Sequence, residues 1–450
     1  MENTFRVGYG RRTVTPTEPI PLSGFSNELK RFHTRVTEPI CITCVALTDA
    51  DDNTVLMVGA DICTAGKVAI MGRERISKIT GIDETKIYIS ATHTHSAPGL
   101  GKQELPCIQR YTEQMMVAYE EAAMEALADR KTAQMFIGSI ETENLNFIKH
   151  YKVRDTTTGE ISYIGDQYGT AEGKVILDHA TRVDPTLHLV KFVREGGKDV
   201  VIANFRAHPH FTGGYKKYDL SSDYIGAFRM ALEAMYDCNC VYFQGACGNV
   251  NSSTRIVGEK KFTNCRSHGM ALAATALEGL TRYMSPVEPG AIRTKQVTIF
   301  GKINHSNDHL IEQAKEIVAL WKETYSKSLC VEKAAPYGLH GPYHASATVA
   351  NYSRTDEEDG KLILNAVAIG DHFAFVTYPG EMFDSISERI EESSPFEHTL
   401  LLGYCYHHAG YLPSAAAYKY GSYEVDVTRF QCGMGETVAD TYHEMLKELK

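Results

Sequence analysis

Apolar runs of strand length recur along the chain: TCVALTD, NTVLMVGAD, KIYISATH, VVIANFRAH, CVYFQGA, LILNAVAIG and HFAFVTYPG. Helical stretches such as YTEQMMVAYEEAAMEALADR and YIGAFRMALEAMYD lie between them. This alternation predicts an α/β fold, a mixed β-sheet flanked by helices. One long amphipathic helix is expected from about Asn307 to Leu329, carrying the only tryptophan, Trp321. It interrupts the strand rhythm and reads as a helical insertion at about 305–358. The Gly-, His-, Tyr- and Ala-rich stretch after it reads as an excursion near the site or an interface. No repeat, low-complexity tract or linker divides the sequence, so residues 1–450 read as a single catalytic unit.

Several of the strands end in residues of metal-ligand type. KIYISAT runs into His93 and His95, VVIANFRA into His208 and His210, HFAFVTYPG into Glu381, and CVYFQG into ACGNVN. In α/β sheets ligands collect at one end of the strands, where several loops converge. His93 and His95 are two apart, so extended backbone would turn both imidazoles to one side. His208 precedes Pro209, which cannot continue a central ladder, so the backbone leaves the sheet there. Glu381 alone would simply favour the start of the following helix. Together with two histidines it completes a set common in catalytic zinc sites. The tyrosine-dense LGYCYHHAGYLPSAAAYKYGSYEV, with His407 and His408, has no apolar period and reads as a loop walling the site. Neither a G-x-S-x-G elbow nor a P-loop occurs. Cys247 could be a thiol nucleophile, but a small residue under a tight turn explains it as well.

Composition removes other function classes. A net charge of -10 over 450 residues argues against a nucleic-acid or anionic-membrane partner, since both favour a basic face. No stretch of about 18 apolar residues occurs, so no membrane span is expected. The polar start MENTFRVGYGRRTVTP lacks the apolar core of a targeting segment, and a cytoplasmic protein is expected. The 11 cysteines, odd in number and irregularly spaced, read as reduced thiols. Cys41 and Cys44 form a C-x-x-C without a second pair at zinc-finger spacing and read as buried strand thiols.

Taken in order, the motifs resemble the neutral/alkaline (non-lysosomal) ceramidase family along nearly the whole chain. VGYGRRTVTP with LSGF is similar to the family's N-terminal glycine-rich strand and turn. THTHSAPG is close to its T-H-T-H-S-G-P-G, AHP matches its second histidine motif, and PGE is shared. GYLPSAAAYKYGSYE keeps the tyrosine-to-tyrosine spacing of Y-x-T-T-x-x-E-Y-x-x-x-x-Y-E. The resemblance implies one zinc ion held by His93, His208, Glu381 and Tyr411, with His95 and Tyr423 binding substrate and stabilising charge. The chain departs from the family at GNVNSS, where Asn251 stands in place of the nucleophilic serine and Asn249 replaces an aspartate. Phe147 stands where an arginine is expected, with Lys149 and His150 nearby. No counterpart of the family's C-terminal immunoglobulin-like domain is expected after Tyr423.

These readings combine into an expected zinc-dependent hydrolase of an amide (N-acyl) or ester bond. A metal-activated water would replace the absent serine, and Asn251 would bind substrate. A metal-dependent lyase or isomerase acting on a carbohydrate-like or other polar metabolite is the alternative. A zinc-binding protein without turnover is a third. The expected partner is a small molecule, and a homo-oligomer stays open.

Overall fold

Every residue of the strand Cys41–Thr48 is buried, which requires cover on both faces of its sheet. In the computed structural model, which describes residues 4–25, 31–101, 103–165, 173–213 and 217–450, that cover differs on the two sides. Cys41–Thr48 belongs to a mixed sheet in the order Cys238–Gln244, Asp199–Phe205, Thr186–Arg194, Lys131–Glu141, Arg6–Thr13, Cys41–Thr48, Thr54–Ala60, Ile87–Ala91. Ser285–Val287 pairs alongside Lys131–Glu141. The outermost pair at each edge is parallel, and the strands between are antiparallel.

A second sheet, Ile292–Phe300, Lys361–Ile369, Phe373–Thr377 and His398–Leu402, stacks on the first. Val45, Met57, Tyr88, Val200 and Phe243 of the large sheet meet Val367, Phe375 and Leu400 of the small one in a continuous apolar layer. On the other face of the large sheet, helices Gly66–Thr80 and Pro106–Ala128 pack Ile76, Met115 and Tyr119 against Ile42, Val58 and Ile89. Helices Asp223–Met235 and Cys265–Arg282 cover the rest of that face. Asp384–Ser393 and Met434–Leu449 cover the outer face of the small sheet. The mixed sheet flanked by helices is thus present, with one layer more than the strand pattern implied.

The amphipathic stretch expected as one helix is two. Ile311–Thr324 stops at Tyr325, whose φ of 49° is left-handed, and Lys327–Ala334 restarts with the Ser326 side chain accepting from the Leu329 N–H. A third helix, Pro342–Tyr352, follows. The three share a small core of Ala314, Ile317, Cys330, Ala334, Leu339 and Ala345. Cys41 and Cys44, three apart on one strand, face opposite sides, and the cysteines are free thiols. Among the described residues no helix is long and apolar enough to cross a membrane.

Candidate metal centre

The parallel strands of both sheets point their C-terminal ends at one place, and their loops meet there. Past Ala91 the chain leaves the large sheet while still bonded to its neighbour: Thr92 N–H donates to Ala60 O and His93 N–H to Ile62 O. The Thr92 hydroxyl bonds Asp61, and the buried Arg229 holds Asp61 through two bonds of 3.0 and 2.5 Å. His93 itself is left-handed, with φ of 65°. The two imidazoles of H-T-H therefore converge through a backbone kink, and the extended pairing expected from their spacing is absent. His93 Nδ1 donates to Cys63 O at 2.6 Å, and the ring stacks on Tyr404 with centroids 4.0 Å apart.

His208 repeats this construction. Its N–H donates to Val250 O, and its Nδ1 lies 3.0 Å from the same oxygen. With Nδ1–H committed to a carbonyl on each ring, the Nε2 lone pairs of His93 and His208 are left for a metal. Both turn toward Glu381, whose Oε2 lies 3.6 Å from His93 Nε2 and 3.4 Å from His208 Nε2. That oxygen is buried and has no hydrogen-bond partner among the described residues. Burial pushes His93 down to about 3 and His208 well below the ordinary histidine range, so both rings are neutral. Two neutral imidazoles around an unpartnered buried carboxylate oxygen fit a divalent cation, and the N/N/O donor set suits zinc.

Glu381 lies on the connection that follows strand Phe373–Thr377 of the small sheet. Residues Glu381–Met382 pair in parallel with Tyr411–Leu412, setting Glu381 directly opposite Tyr411. Gly248 allows the GNVN turn to approach, since a Cβ there would lie 2.5 Å from Glu381 O. Burial and then Glu381 raise the Tyr411 phenol well above its ordinary value. Tyr423 lies beside it, with ring centroids 5.9 Å apart.

His95 Nε2 stands 3.1 Å from His93 Nε2. Because His93 presents a lone pair there, His95 is the donor. Burial, then His93 and His208, depress His95 far below its usual range. Its seat depends on the LSGF turn, whose motif carried the resemblance without a role at the site. A Cβ on Gly24, which has φ of +92°, would lie 2.5 Å from the His95 Cβ, and the Phe25 ring packs edge-on against the imidazole at 5.2 Å. Cys63, which the sequence did not flag, forms with His93 and His95 a second group of donor atoms within 4.8 Å, though its carbonyl already binds His93.

Solved structures share this architecture. The neutral ceramidase from Pseudomonas aeruginosa superposes with a TM-score of 0.71 at 16% identity, over 99% of this chain and 74% of that one. The chain has the neutral ceramidase fold. A ceramidase complexed with C2 agrees, with a TM-score of 0.72 at 15% identity, over 99% of this chain and 75% of that one. No protein-family model and no curated protein matches the sequence.

Asn251 and Ser252 of GNVNSS, with Phe147, Lys149 and His150, lie near the candidate centre. Asn251 is buried, pairs with Phe147 and bridges to His208. Ser252 is fully buried, its hydroxyl donating to His208 O at 2.9 Å. Phe147 stacks on His179. Lys149 and His150 both reach the buried Glu424, at 2.8 and 2.7 Å. Burial opposes ionisation of Glu424, yet Lys149 and then His150 hold its carboxyl well below the usual range. The Lys149 ammonium also sits 5.2 Å from the centre of the Tyr411 ring. Cys247 is buried against the Tyr404 hydroxyl at 3.0 Å, and burial raises its thiol to about 12, which removes the thiolate a nucleophile needs.

Proposed function

We propose that this chain is a zinc-dependent hydrolase of an N-acyl amide or ester bond in a small molecule, a relative of the neutral ceramidases. The observation that carries this reading is the buried Glu381 Oε2, which faces two Nε2 lone pairs and has no other partner among the described residues. His93, His208 and Glu381 would hold the ion, with Tyr411 as the fourth group. Bound zinc supplies Lewis acidity, polarising a carbonyl and lowering the pKa of a water to about 7.

The remaining steps belong to side chains. When His93 Nε2 is engaged, His95 Nε2–H loses its acceptor and is free to donate to the substrate carbonyl oxygen as charge builds there. One such donor contributes about 3 kcal/mol to the transition state. Tyr423, kept protonated by burial and then by Glu381, is a second donor. The Asn251 side-chain amide, beside His208, suits binding of a substrate amide. With no serine at that position, water is the attacking group.

The second reading, a metal-dependent lyase or isomerase of a polar metabolite, draws on the ionic Lys149–Glu424–His150 set behind Tyr411. One experiment separates the two. The protein is stripped with a chelator, reloaded with zinc, and supplied with N-acyl amides, esters and sugar derivatives in 18O-labelled water. Hydrolysis requires zinc-restored turnover and one labelled oxygen in the product. Unlabelled product supports the second reading, and turnover that ignores the chelator defeats both.

A further inference from the structure

Outside this centre, two other clusters combine imidazoles with carboxylates. In Asp184, His188 and Glu391, the buried Arg206 lies between the carboxylates at 2.8 and 2.7 Å. A resident guanidinium already supplies the positive charge, and no ion is needed.

The other cluster joins the inserted segment to a helix distant in sequence. His340 and His344 flank the start of helix Pro342–Tyr352 in the inserted segment, and Asp426 lies on the short helix Tyr423–Val427. Asp426 Oδ2 is 2.6 Å from His340 Nδ1 and 3.6 Å from His344 Nδ1, and the three donor atoms lie within 4.8 Å of one another. His344 Nδ1 accepts the His340 backbone N–H at a long 3.3 Å, a bond that an ion on Nδ1 would displace. Its other nitrogen, Nε2, lies 2.8 Å from the Asn307 side-chain amide, whose oxygen would accept from Nε2–H once Nδ1 holds an ion. A metal-binding imidazole is normally anchored in this way, with one nitrogen fixed by an outer hydrogen bond and the other presented to the ion. His344 and Asp426 are mostly buried while His340 is 55% exposed, so the cluster has both a fixed floor and an open side. A cavity of about 640 Å³, lined in part by Asn304, Asn307, His344 and Asp426, leads to it.

We propose that His340, His344 and Asp426 form a second divalent-metal site, separate from the His93 cluster, that ties the inserted helices to the helix bearing Tyr423. Two imidazoles and one carboxylate select a first-row cation of the zinc or cobalt type over magnesium or calcium. The ion would replace the His340–Asp426 hydrogen bond and leave at least one coordination position to water from the cavity.

The test is a titration of the metal-free full-length protein with Co2+, followed by its visible absorption and by bound-metal stoichiometry. It compares the wild type with His340→Ala, Asp426→Asn and the double variant, and also with His93→Ala. The proposal requires the double variant to bind one equivalent fewer than wild type, each single variant to bind that equivalent at least tenfold more weakly, and His93→Ala to retain it. Equal stoichiometry and affinity in wild type and the double variant overturns it and leaves a plain His–Asp ion pair. His340 is half exposed, so the single variant His340→Ala reads out binding even if a variant at Asp426 fails to fold. Loss of an equivalent in His93→Ala reports only on the first cluster, so the two metal assignments fail independently.

Discussion

The cluster at His93, His208 and Glu381 and the cluster at His340, His344 and Asp426 share a composition and differ in setting. In the first, every ligand side chain is under a tenth exposed, the imidazoles are locked by carbonyls, and the carboxylate oxygen facing them lacks a partner among the described residues. In the second, the carboxylate already bonds His340 and one imidazole is open to solvent. A buried, unsatisfied carboxylate destabilises the metal-free fold, whereas a half-exposed His–Asp pair contributes little either way. On the proposed reading, burial and an unpartnered carboxylate oxygen suit the first cluster to chemistry, and the open setting of the second suits it to attachment. The Arg206 cluster is the third case, in which the protein brings its own cation.

The largest effect that could break this comparison is at Glu381. Glu381→Gln should lower zinc affinity at least a hundredfold and turnover at least a thousandfold. In metal-free protein the same change should raise stability by about 1–3 kcal/mol, because a neutral amide is less costly to bury unpaired. Urea unfolding with and without zinc measures both signs, and a metal-free loss of stability would contradict the orphaned-charge argument. At the third cluster, Arg206→Met leaves Asp184 and Glu391 without their buried partner and should cost about 3–5 kcal/mol in urea unfolding. A cost under about 1 kcal/mol would show that the guanidinium is not what neutralises that cluster.

Next in size is Gly24→Ala. The new methyl meets His95, and displacing a working group by about 1 Å costs on the order of a hundredfold in rate. Turnover should fall by about that factor with zinc content unchanged, and loss of zinc would place the damage on the ligands instead. A smaller, pH-dependent effect is expected at Glu388, where burial and the neighbouring Asp384 push the carboxyl up to about 7 from an unfolded value of 4.5. The folded state holds this proton more tightly, so stability declines as pH rises from about 4.5 to about 7. Glu388→Gln should match wild type near pH 4.5 and exceed it by about 1 kcal/mol near pH 8, the figure being reduced for partial exposure. Thermal melts across that range decide it. The smallest effect is His340→Ala in metal-free protein, expected to change stability by under about 1 kcal/mol.

Much of the architecture is readable from residues because the strands are apolar throughout and end abruptly in His-Pro, Gly-Glu or H-T-H. That same uniformity conceals the stacking of two sheets. Cys41–Thr48 is covered on both faces, so it lacks the alternation of period two that would separate an inner from an outer side. In the site, the strand ends bring His93, His208 and Glu381 to notice, but not their arrangement. The kink at His93 is a left-handed backbone angle on a non-glycine residue, and no spacing rule signals it. Tyr411 meets Glu381 through a two-residue bridge between distant segments, and Gly24 supports His95 by close approach. Such contacts are fixed by the folded whole. The break at Tyr325 was hidden for a local reason: the helical period continues across it while the backbone reverses its twist for one residue.

The centre's donors are divided between the two stacked sheets. His93 and His208 hang from the large sheet, while Glu381 and Tyr411 hang from connections of the small one. Neither sheet alone holds a complete grip on an ion, so metal capture gauges how the two slabs are docked. Trimming Phe375 in the layer between them would let the slabs slide and loosen the ion before either sheet unravelled. An ion bound there acts as a rivet set last, once the halves are already aligned.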